Sequence, residues 1–186
     1  MAAPLPTTGL VYDDLAAFPD DGLRRELIDG ELVVTPAPRD YHQRVVVRIA
    51  AALLDYERRH GGVVLPAPSD VRFADDTVLE PDVLFVTAGH RDRVGERYTT
   101  GPPDLVVEVS SPSTRRLELV RKREVYERFA VPEYWYVDLD VERVEVYRLR
   151  DGRYGAPVVH YAGETVASAV VEGFAMAVSE ILGPWD

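Results

Sequence analysis

Residues 79–135, LEPDVLFVTAGHRDRVGERYTTGPPDLVVEVSSPSTRRLELVRKREVYERFAVPEYW, read as strand, loop, strand, helix, strand, and the rest of the 186-residue chain is arranged around that reading. At its centre, DLVVEVSSPS carries Glu108 among Leu105, Val106, Val107 and Val109, a run of apolar β-formers that marks the most deeply buried strand. A helix over Arg115 to Ala130 follows, with Thr114 placed to cap it, Leu119, Val125, Tyr126 and Phe129 facing inward, and Val131-Pro132 as its stop. EYWYVDLD then returns as a strand. A strand–helix–strand of this length predicts a parallel pair joined by a right-handed crossover, and with it an α/β fold.

Outward from this centre the signals are local. Residues 1–10 read as a flexible leader and residues 11–186 as a single domain, opened by a short helix in YDDLAAFPDD. Asp29-Gly30 between LRRELI and ELVVTPAP predicts a tight hairpin, as does Asp151-Gly152 further on. Val45, Val46, Ile49, Leu53 and Leu54 recur at helical spacing between Tyr41 and His60, with Arg44, Arg48, Arg58 and Arg59 assigned to the solvent side and Gly61-Gly62 as a stop. VVLPAPSDVRF and VLEPDVLFV read as one strand each, and EGFAMAVSEIL as a closing helix or coil.

Composition limits what such a domain does. The chain has no cysteine, which excludes disulfides, thiolate zinc sites and a cysteine nucleophile. Its first residues lack the features of a signal peptide, and no apolar run approaches the ~20 residues of a membrane span, so a soluble cytoplasmic protein without membrane partners is expected. A net charge of -11 disfavours non-specific coating of nucleic acid but is compatible with an enzyme whose carboxylates meet phosphate through cations. No G-x-S-x-G elbow and no glycine-rich phosphate loop with a lysine occur, so neither a serine hydrolase nor a nucleotide cofactor is indicated, and His42, His60, His90 and His160 lack metal-ligand spacing.

The remaining chemistry lies in charges placed where charges are costly. Glu108 interrupts an apolar strand, and a buried carboxylate needs a compensating cation. With Asp82, directly after Pro81, it forms a candidate hard-oxygen site for Mg²⁺ or Mn²⁺, to which the Val109 carbonyl at the strand end adds a further oxygen. Alternation puts Val106 and Glu108 on one face, and Glu108 is expected to point off the core into a cleft. Lys122 is the sole lysine among 21 basic residues, the others being arginine. A compact ammonium differs chemically from a planar guanidinium, and Tyr126 follows on the same helical face.

The segments RELIDGELVVTPAP, YHQRVVVRIA, LEPDVLFV, PDLVVEVSSPSTRR, KREVY and VPEYWYVD together resemble the Uma2 family of restriction-endonuclease-like proteins, within the PD-(D/E)XK nuclease superfamily. The resemblance runs from about Tyr12 to Leu182. It implies a restriction-endonuclease-like mixed sheet of four central strands flanked by helices, with additional antiparallel hairpins, and Mg²⁺-dependent hydrolysis of phosphodiesters. By position it implies Asp82 as the motif aspartate, Glu108 as the second acid and Glu26 as an additional acid. The motif lysine is replaced at its usual place by Ser110 and is represented instead by Lys122 on the following helix. His42 occupies a recurrent family position without an assigned role. The resemblance also implies a homodimer, for which Tyr134, Trp135 and Tyr136 are candidate interface residues.

The resulting expectation is a metal-dependent endodeoxyribonuclease with Asp82, Glu108, Lys122 and Glu26 as catalytic residues, Asp82, Glu108 and Val109 as metal ligands, His42 and Tyr126 as accessories, and DNA as substrate. Two alternatives stay open: a non-catalytic nucleic-acid-binding or assembly protein that keeps the fold, and a metal-dependent hydrolase of another phosphodiester. Each residue also has a plain reading. Glu108 could pair with an arginine, Asp82 could form a turn, Lys122 could be a solvated helix charge, Glu26 an exposed hairpin residue, His42 a helix-terminus residue and Tyr126 a packing residue.

Overall fold

The structure, a computed structural model, describes residues 6–36, 39–110 and 117–184. A 3₁₀ segment, Tyr12–Ala17, precedes the hairpin of β1 (Arg24–Ile28) and β2 (Glu31–Thr35). Asp29 and Gly30 at its tip have φ of 52° and 74°, the left-handed pair that lets a two-residue turn follow the twist of its strands. There follow α1 (Asp40–His60), β3 (Val63–Pro66), β4 (Val71–Ala74), β5 (Thr77–Leu79), β6 (Val83–Val86), β7 (Thr99–Thr100) and β8 (Leu105–Val109). A π-helical turn, Leu117–Lys122, runs directly into α2 (Arg123–Arg128). The chain closes with β9 (Glu133–Asp138), β10 (Arg143–Arg150), β11 (Arg153–Tyr154), β12 (Val158–Tyr161), β13 (Thr165–Ala167), β14 (Ala175–Ala177) and α3 (Val178–Leu182).

The central sheet has the order β3-β6-β8-β9-β10, extended on the outer side of β10 by β11 and β12. It is therefore wider than four strands. Its mixed character comes from β8 and β9, which run parallel, while the other pairs are antiparallel. Every residue of β8 and β9 is buried, as expected for strands covered on both faces. On one face, Val45, Val46, Ile49 and Leu53 of α1 meet Leu105, Val107, Val109, Trp135 and Val137, with α3 beside them. On the other, Val125 and Tyr126 of α2 meet Val106, Tyr134 and Tyr136. A second sheet has the order β2-β1-β5-β4-β7.

Several expectations change here. The runs 63–73 and 78–86 are not continuous strands: each begins in one sheet and ends in the other, with β3 and β6 in the central sheet and β4 and β5 in the second. The changes of sheet fall at proline-containing segments, where a backbone donor is missing from the ladder. The predicted helix from Arg115 is π-helical through Lys122 and α-helical only from Arg123, while Thr114 and Arg115 lie outside the described residues. Leu54 is exposed, not inward. The leader is tied down from Thr7, whose carbonyl accepts the Leu32 N–H at 2.8 Å, and Leu10 is buried. Tyr134, Trp135 and Tyr136 are fully buried within the chain, so these aromatics offer no surface for a dimer contact. Among the described residues no helix is long and apolar enough to cross a membrane.

Candidate active site

The place where β5 hands over to β6 builds the site. Val83 of β6 is opposite Val107 of β8, and continuing that register sets Pro81 opposite Val109. Proline has no N–H to offer Val109, and the ladder lapses. The Asp82 carboxylate takes over: its Oδ2 accepts the Val109 N–H at 2.8 Å and contacts His42 Nε2 at 3.0 Å, and its Oδ1 accepts from Arg24 Nη2 at 2.9 Å. Arg24 Nε lies 2.7 Å from Glu80 Oε1, so one guanidinium spans the two acids flanking Pro81. His42 enters from the first turn of α1, and its Nδ1 is buried without a hydrogen-bond partner among the described residues.

The second half of the cluster is centred on Lys122. Its Nζ lies 2.8 Å from Glu26 Oε1 and 2.9 Å from Glu108 Oε1, and the Tyr126 hydroxyl donates to the same Glu108 oxygen at 2.5 Å. Lys122 and Tyr126, four residues apart, thus share a face as their spacing predicts. Glu26 Oε1 also accepts the Glu80 N–H at 2.7 Å, linking the two halves through β1. The other oxygens, Glu26 Oε2 and Glu108 Oε2, are buried and have no hydrogen-bond partner among the described residues. Lys122 is 2% exposed and Glu108 0%, so the expected open cleft at Glu108 is instead an enclosed pocket of charge.

The Uma2 family model, described as "putative restriction endonuclease", matches residues 12–179. The chain belongs to the Uma2 family. Among solved structures, the crystal structure of a "putative nuclease belonging to DUF820" from Anabaena variabilis is similar at 15% sequence identity. The alignment covers 93% of this chain and 97% of that one, with a TM-score of 0.77. That likeness shows the shared fold. No curated protein matches the sequence.

In this Uma2 protein, sequence reading located Asp82, Glu108, Lys122 and Glu26, and the structure brings all four into one cluster with His42 and Tyr126. It missed Arg24 and Glu80. The signal for Arg24 was available, since it lies two residues before Glu26 on a strand and so shares its face. Glu80 precedes Pro81, but nothing in the sequence alone distinguishes it from a loop acid.

Burial dominates the electrostatics. It pushes Glu108 up to about 7; Lys122 opposes the shift, and Asp82 and Glu26 reinforce it. Burial also pushes Asp82 upward, but the His42 hydrogen bond and the charges of Arg24, His42 and Lys122 prevail, and its carboxyl lies well below the usual range. For Arg24, burial favours the neutral form, yet Asp82, Glu26, Glu108 and Glu80 outweigh it and hold the guanidinium charged. Glu80 is raised by burial, and so is Tyr126, where Glu108 adds to the effect and keeps the phenol a hydrogen-bond donor.

These donors fit a hard divalent cation in kind and charge. Glu26, Glu80, Asp82 and Glu108 outnumber Arg24 and Lys122, and two buried carboxylate oxygens lack donors. Pro81 also gives no N–H to the Val109 carbonyl. The set is not preassembled: among the described residues no group of three or more His, Asp or Glu side chains is placed to hold a metal, and both Asp82 carboxylate oxygens are engaged by protein groups. Beside the cluster, a cavity of about 300 Å³ lined by Leu65, Asp70, Glu80, Arg97 and Tyr98 leads from Glu80 to the surface.

Proposed function

We infer that this Uma2 protein is a metal-dependent endodeoxyribonuclease that hydrolyses phosphodiester bonds. The observation that carries the reading is the placement of the chain's sole lysine, buried, between two carboxylates beside Asp82. A lysine serving only solubility would not be enclosed with acids at the end of a central strand.

Asp82 and Glu108, with the Val109 carbonyl, would hold Mg²⁺ or Mn²⁺. When bound, such an ion polarises a phosphoryl oxygen and lowers the pKa of an attacking water. The side chains around it have separable tasks. Tyr126 fixes Glu108 Oε1 and leaves Oε2 for a ligand. His42 and the Val109 amide fix the Asp82 carboxylate plane. Glu26 holds Lys122 at a defined point, where its ammonium positions water or stabilises charge on the phosphoryl group. The test is titration of Mg²⁺, Mn²⁺ and Ca²⁺ with cleavage assays on duplex DNA, single-stranded DNA, RNA and a small phosphodiester. Mg²⁺ or Mn²⁺ should support cutting of DNA, and Ca²⁺ should bind with little turnover because its coordination is larger and looser. No divalent binding at millimolar concentration would remove the reading.

One observation favours a second reading. The enclosure of Glu108 and Lys122 and the full commitment of Asp82 are also what a nuclease fold retained as a nucleic-acid-binding or assembly protein would show. DNA binding without cleavage in any of the metals would select it. Cutting of the small phosphodiester but not of nucleic acids would instead select a different substrate for the same chemistry.

A further inference from the structure

The two cations of the cluster are held differently. Lys122 is enclosed at 2% exposure, whereas the Arg24 side chain is 17% exposed and forks over Glu80 and Asp82 at the rim. Among the described residues that contact the Asp82 carboxylate, His42 and Val109 are buried, and Arg24 combines that contact with access to solvent. Arg24 begins β1 at the end of the ladder with β2, opposite Thr35, while β1 is in register with β5 only at Leu27 and Val78.

We propose that Arg24 is an exchangeable counter-ion: its guanidinium holds, across Asp82 and Glu80, the charge position that a divalent cation takes when it binds Asp82, and cation binding displaces it. The inference rests on the reading of Asp82 as a cation-holding residue. A carboxylate buried as deeply as Asp82 needs a positive partner in every state of the protein. Arg24 meets that need without closing the site, because its long side chain reaches the carboxylate from the rim and withdraws the same way. A divalent ion and the guanidinium at the same carboxylate oxygen would repel one another, so arrival of one favours release of the other. Lys122 plays no such part, since Glu26 and Glu108 hold it from both sides.

The experiment is titration of Mn²⁺ alone into the 186-residue chain, followed by calorimetry and by the paramagnetic resonance signal of the free ion. The proteins are wild type, Arg24→Gln, Arg24→Lys and Arg128→Gln. Arg128 pairs with Asp29 on the surface, so its loss removes the same unit of charge away from the cluster. Removing a like charge adjacent to the binding carboxylate should tighten Mn²⁺ binding by about tenfold or more in Arg24→Gln. Arg24→Lys, which keeps the charge but cannot fork across both acids, should tighten it by a smaller factor and decides the matter if the glutamine variant does not fold. Screening should hold Arg128→Gln within about twofold of wild type. Binding by Arg24→Gln equal to or weaker than wild type overturns the exchange and leaves the metal reading of Asp82 intact. Absence of binding in every protein overturns both.

Discussion

The two faces of strand β8 show how one element divides its work. Towards α1 it presents Leu105, Val107 and Val109, and the cluster they join is apolar throughout. Towards α2 it presents Val106 and Glu108, among tyrosines: Tyr134 lies over Tyr147 at 5.5 Å and against Tyr126 at 5.2 Å. Aromatic rings with hydroxyls fill volume as leucines do and also bring hydrogen-bond donors, as the Tyr126 contact to Glu108 shows. Apart from the His42 end of α1, which reaches Asp82, the α1 face is packed by apolar side chains, whereas the α2 face buries charge among its rings.

The largest test of this contrast is Glu108→Gln. It should abolish cleavage while leaving stability at neutral pH unchanged or higher, because it removes a carboxylate that burial disfavours. The pH dependence has a defined sign. Glu108 is raised from 4.5 to about 7 in the folded protein, so between these values the unfolded chain releases a proton that the folded one retains, and stability falls as pH rises. Melting curves in chelator across this window should show the fall in wild type and a shallower one in Glu108→Gln; a large loss of stability in the variant would make Glu108 a structural ion-pair partner. The opposite face is tested by Ile49→Ala. It should lose about 2–5 kcal/mol in chemical denaturation, from transfer and cavity terms, with cleavage per folded molecule unchanged. A concurrent loss of cleavage would mean that the two faces do not work separately. At Lys122→Arg a planar group in an ammonium's place should misplace charge and reduce the rate by roughly a hundredfold while the protein stays folded. Lys122→Met should be at least as inactive. Arg121→Lys, whose side chain pairs with Glu31 on the surface, should cut at the wild-type rate. Full activity in Lys122→Met would return this helix to scaffold.

Much of the fold was legible because its signals are local. The Asp29-Gly30 hairpin, the periodicity of α1 and the strand–helix–strand order around Glu108 each depend on residues close in sequence. The grouping of Asp82, Glu108 and Lys122 was legible for another reason: charge in an apolar setting, and a lysine where arginine is the rule, are compositional anomalies. What sequence could not convey was which sheet a strand joins. The alternation in VVLPAPSDVRF is the same whether its halves pair with one partner or two, and only tertiary pairing sends β3 to β6 and β4 to β5. Likewise, the apolar character of Tyr134, Trp135 and Tyr136 marks burial without saying whether a second chain or this one supplies the cover.

Because two of the chain's passages between the two sheets, at 67–70 and at 80–82, run side by side here, the cluster lies on a mechanical seam as well as at a chemical site. The crossings are fastened to one another by the Ala67 N–H, which donates to the Asp82 carbonyl at 3.0 Å. A change of angle between the sheets at this seam would work on that bond and on the backbone that carries the Asp82 carboxylate. The Ala67 amide proton, followed by its rate of exchange with deuterium, therefore reports on opening of this seam beside the Asp82 carboxylate.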